Sequence, residues 1–70
     1  MLNIDKTKII DYMNEQKAII DSIHADCQVE KSDNLLNMLN LHCAKLNTIC
    51  TILSINGYTA EYINGSYIIY

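Results

Sequence analysis

Seventy residues suffice for one domain with a small core, since a chain this short buries only about 60% of the surface it exposes unfolded and such domains commonly need a staple, a metal or a partner chain. Half the residues are apolar, which excludes a disordered chain. A net charge of −3, carried with five Lys and no Arg, disfavours nucleic acid, whose phosphates attract cations and whose guanines are read mainly by Arg.

The N-terminal run Met1-Leu2-Asn3-Ile4-Asp5-Lys6 has no basic stretch leading into an apolar one, so no secretory signal is expected. A first helix is expected over about 5–27. Asp5 is its N-cap, and Ile4 and Ile9 stand at the two positions of a hydrophobic staple. Ile9, Met13, Gln16, Ile20, Ile23 and Cys27 recur at helical spacing and form one apolar seam. Lys8, Asp11, Glu15, Asp21, Ser22 and Ala25 occupy the opposite, solvent face.

A short polar link, Gln28 to Ser32, leads to a second helix over about 33–56, ended by Gly57 as a left-handed cap. Leu35, Leu39, His42, Leu46, Ile49 and Leu53 repeat the seam. Matched helices joined by five residues pack antiparallel. Neither helix approaches the ~20 apolar residues that cross a membrane.

From about 58 to 70 the period changes to two. Asn64-Gly65 is the signature of a two-residue type I′ turn, which pairs Ile63 with Ser66, Tyr62 with Tyr67 and Ala60 with Ile69. Tyr58, Ala60, Tyr62, Tyr67 and Ile69 then share one face, expected to dock on the second helix. Thr59, Glu61, Ile63, Ser66, Ile68 and Tyr70 share the other. The fold class is therefore α+β: one domain, an antiparallel two-helix hairpin followed by a two-stranded β-hairpin, completed by oligomerisation.

The two helices differ in charge. The first carries eight charged residues from Asp5 to Asp26, the second only Asp33 and Lys45. The back of the second helix reads Asn37, Asn40, Ala44, Asn47, Thr51 and Ser54, with Leu36, Cys43 and Cys50 on one flank and Met38, Leu41, Ile52 and Ile55 on the other. So much uncharged surface on a lone helix is poorly soluble. Asn37, Asn40, Asn47, Thr51, Cys43, Cys50, Leu41 and Ile52 are accordingly expected at an interface with a second copy or a protein partner. The strand Ser66–Tyr70 offers a further route, by edge pairing with its own copy.

Gln16 and His42 interrupt otherwise apolar seams. Antiparallel numbering around the link brings them together as a buried hydrogen-bonded pair. Tyr58, Tyr62, Tyr67 and Tyr70 suit hairpin packing, an interface, or stacking on a ligand. His24, Cys27, His42, Cys43 and Cys50 have ligand chemistry but are spread along two helices, so no metal or other cofactor is expected. The three cysteines contain no C-x-x-C pair and read as free thiols of a cytoplasmic protein.

His42 and Cys43 point about 100° apart around the helix and make no nucleophile–base pair. Asp11 and Glu15 sit one turn after Lys8 in a solvated ionic face. No enzymatic activity is expected. No segment carries a nameable family motif. In size, lack of targeting signals and AT-rich-type composition (Asn, Ile, Lys, Tyr), the chain resembles small accessory proteins of phages and mobile elements, many of which inhibit a host enzyme or defence complex by binding it. That resemblance implies a protein target in a host cytoplasm. The alternative is an oligomeric binder of a small molecule such as a nucleotide, in a pocket between subunits.

Overall fold

A computed structural model describes residues 5–70. It consists of helix α1 (Lys6–Val29), helix α2 (Asp33–Ile55), and strands β1 (Ala60–Ile63) and β2 (Ser66–Ile69). The α+β expectation holds. The strand register is Ala60 with Ile69, Glu61 with Ile68, Tyr62 with Tyr67 and Ile63 with Ser66, as the turn signature requires. Asn64 and Gly65 both have positive φ, 53° and 85°, the geometry of a type I′ turn.

Each helix end has a local cause. Asp5 Oδ1 accepts from the Lys8 amide at 3.2 Å, satisfying one of the free donors of the first turn. The staple partner Ile4 lies outside the described residues. No Gly or Pro stands directly after Cys27, and α1 runs two residues past its expected end, to Val29. At the end of α2 the Tyr58 amide donates to Leu53 C=O and the Gly57 amide to Ser54 C=O, with Gly57 at φ 83°. This pair of bonds is a Schellman motif. It turns the chain back sharply and sets the direction in which β1 leaves.

The core lies at the end of the helical pair that the hairpin covers. Met13, Leu46, Leu53 and Ile69 form its buried centre, with Ile9, Ile10, Ile20, Ile49, Cys50, Tyr58, Ala60 and Tyr67 packed around it. Farther towards the link, Ile23 is buried between the helices without a third layer over it. The molecule is correspondingly long and thin, 44 × 22 × 15 Å.

Two expectations need correction. The β-hairpin does not dock chiefly on α2: β2 runs beside α1, and Ile69 reaches between the helices to Leu46 and Leu53. The β2 edge is also not free to pair with a copy along its length, because α1 occupies it. The Tyr67 amide, which points outward from the ladder, donates to Asn14 Oδ1 at 2.9 Å. Asn14 Nδ2 in turn donates to Ser66 Oγ at 2.9 Å.

Asn14→Ala is expected to lower stability by about 1–3 kcal/mol, the cost of stranding a part-buried amide. Thermal unfolding followed by circular dichroism checks it. An unchanged midpoint would show that the clamp contributes nothing.

Candidate functional site

Gln16 and His42 meet as expected. Gln16 is only 5% exposed, and its Oε1 stands 2.5 Å from His42 Nδ1. An amide oxygen only accepts, so Nδ1 carries the proton and donates. Among the described residues every buried side-chain nitrogen and oxygen has a partner.

The residues expected at an interface divide into three groups. Asn37, Asn40, Asn47 and Thr51 stand exposed along the back of α2, where Thr51 Oγ1 donates to Asn47 C=O. Leu41 and Ile52 are exposed on one flank together with Met38 and Ile55, Leu41 at 55% and Ile55 at 78%. Cys43 and Cys50 are half-buried on the other flank, and Cys50 packs on the core. Leu36 is exposed as well.

The tyrosines form a linked set. Tyr62 and Tyr67 face each other across the strands, ring centroids 5.0 Å apart and edge to face. The Lys17 ammonium lies 5.1 Å from the Tyr62 ring and holds Asp21 at 2.6 Å. The Lys6 ammonium lies 5.4 Å from the Tyr58 ring. These cations occupy a face of each ring. Tyr70 Oη donates to Glu61 Oε1 across the outer face of the hairpin, beside exposed Ile63 and Ile68.

One feature escapes the seam pattern. An apolar groove of about 260 Å³ opens between the start of α1 and the end of α2, lined by Lys8, Ile9, Tyr12, Ile49, Ile52, Leu53 and Asn56. Tyr12 continues a stripe Ile9–Tyr12–Gln16–Ile19–Ile23 at 3 and 4 spacing, which was the available signal. Asn14 was legible only as a poor helix former in mid-helix, a signal blurred by the mid-helix Asn37, Asn40 and Asn47. His24, Cys27, His42, Cys43 and Cys50 do not converge, and among the described residues no three His, Cys, Asp or Glu side chains gather to hold a metal ion.

Burial pushes the Tyr67 phenol above its ordinary value, with the Cys50 thiol adding to the effect. The hydrogen bond that the Lys17 ammonium donates to the Asp21 carboxylate raises Lys17 above its ordinary value. A phenol whose pKa is higher folded than unfolded stabilises the fold while it is neutral. That contribution is whole below the ordinary value near 10 and is lost as pH climbs through the raised one. Raised Lys17 works in the same direction, since its ammonium is favoured by the fold. The unfolding midpoint is therefore expected to stay level through mildly alkaline pH and to drop above about pH 10. Tyr67→Phe should make the drop shallower, and an equal drop in both proteins would count against Tyr67 as its source.

Comparison with protein families, with curated proteins and with solved structures returns no match.

Proposed function

We propose that this chain is a non-enzymatic binding protein that works as a homo-oligomer and modulates or inhibits another protein. The observation that supports this reading is the apolar surface of α2. Leu36, Met38, Leu41, Ile52 and Ile55 are exposed on a helix whose only charges are Asp33 and Lys45, and a surface of that kind favours association. The outer face of the hairpin, with Ile63, Ile68 and Tyr70, and the acidic side of α1 are then left to face a target. Small phage or mobile-element accessory proteins work in this manner in a host cytoplasm, and no helix among the described residues is long and apolar enough to cross a membrane. The nucleotide-binding alternative draws less support, because Lys6 and Lys17 already lie against Tyr58 and Tyr62.

Light scattering at micromolar concentration is expected to give a multiple of the 8.0 kDa chain mass. A single-chain mass removes self-association from the reading. A thermal-shift screen against nucleotides tests the other half, and a large stabilisation by any of them would favour the ligand-binding alternative over a protein target.

A further inference from the structure

We infer that α2 carries a two-fold dimer seam, in which the stripe Met38, Leu41, Lys45, Thr48, Ile52 and Ile55 packs antiparallel on the same stripe of a second copy. The inference rests on the homo-oligomeric reading and names its interface. All six residues are exposed. They follow one another at spacings of 3, 4, 3, 4 and 3, which is the heptad spacing of a helix–helix seam. They flank the Asn-lined back of α2 and do not belong to it.

The chemistry of the stripe identifies the occupant. An isologous contact brings one patch against itself, so its chemistry must read alike from both ends. This one does: two apolar residues, two polar, two apolar, centred between Lys45 and Thr48. In antiparallel register Met38 meets Ile55 of the second copy, Leu41 meets Ile52, and Lys45 lies beside Thr48, each pairing occurring twice. A partner of unrelated sequence would give no reason for that symmetry. The Asn-lined back is polar but for Ala44 and offers no large apolar pairs to bury.

Size agrees. The four apolar side chains, exposed by 47–78%, present roughly 400 Å² per protomer, as large as the patches that mark interaction sites. Two such patches with their polar neighbours reach the lower end of a specific interface, about 1,200 Å² in total. The groove beside Ile52 and Tyr12 opens near where Met38 of the second copy arrives, and an unbranched thioether fills irregular hollows well. Lys45 gives the seam its register, as a single Lys at such a position does at some cost in stability.

The test uses charge reversal across the two-fold. Leu41→Glu and Ile52→Lys, each alone, should reduce the light-scattering mass to one chain while circular dichroism stays that of the folded protein, since both positions are exposed. The double variant L41E/I52K should recover the dimer, because each new carboxylate meets a new ammonium of the other copy. N40E/N47E, on the Asn-lined back, should keep the wild-type mass. If L41E keeps the wild-type mass, or the double variant stays monomeric, this seam is overturned. If N40E/N47E alone dissociates the protein, the seam is overturned while the oligomeric reading survives. A monomeric wild type removes both.

Discussion

Replacing Met13 by alanine is expected to cost about 2–5 kcal/mol, the range for truncating a large side chain in a closed core. Met13 is 0% exposed and touches both of the other layers of the fold, with Leu46 and Leu53 from α2 and Ile69 from β2 around it. At about 0.05–0.15 kcal/mol per residue, a domain of this length holds roughly 4–10 kcal/mol in all. The substitution therefore takes a large share of the total. Each kcal/mol lost shifts the midpoint of so small a domain by about 4–8 °C, so a fall of tens of degrees is expected in thermal unfolding. Met13→Leu conserves volume and should cost less than about 1.5 kcal/mol. Should the alanine variant melt within a few degrees of the parent, Met13 is not where the layers are joined.

The Gln16–His42 pair predicts a different pattern. Gln16→Leu leaves the His42 Nδ1 proton without its acceptor, and His42→Leu leaves the Gln16 oxygen without its donor at a 5% exposed position. Either change alone should cost about 1–3 kcal/mol, the desolvation penalty of an unmade hydrogen bond. The double variant Q16L/H42L makes the two seams continuous and apolar, and should regain most of that loss. A double-mutant cycle in urea measures the coupling. Simple additivity of the two single losses would mean that the two side chains do not act as a pair.

The parts legible in the sequence are those governed by local rules. Asn64-Gly65 sets the turn, and with it the whole strand register. The seams place both helices, and the interruptions at Gln16 and His42 find each other because the short link leaves one antiparallel alignment. The side on which the hairpin lands was not legible. The apolar surplus of α2 made that helix the obvious dock, yet two polar contacts from Asn14, 52 and 53 residues away in sequence, tie β2 to α1. No periodicity reports a contact of that range. The groove at Tyr12 was missed for a related reason: a residue just off a seam reads as solvent-facing until the crossing of the two helices is known.

The division of residues proposed for the interface follows the same logic. Spacing put Cys50 on a flank of α2, but at the hairpin end that flank is covered within the chain, and Cys50 joins the core. The opposite flank, with Leu41 and Ile52, stays open.

The placement of the core at one end of a 44 Å long molecule has an energetic consequence for the whole chain. Near the hairpin, a backbone amide is released only when three layers separate, so its opening free energy approaches that of global unfolding. Towards the Val29–Asp33 bend only two helices hold each other, and far less apolar contact is broken when they part. Protection should thus grade along the long axis, with the bend fraying first and the hairpin end surrendering last.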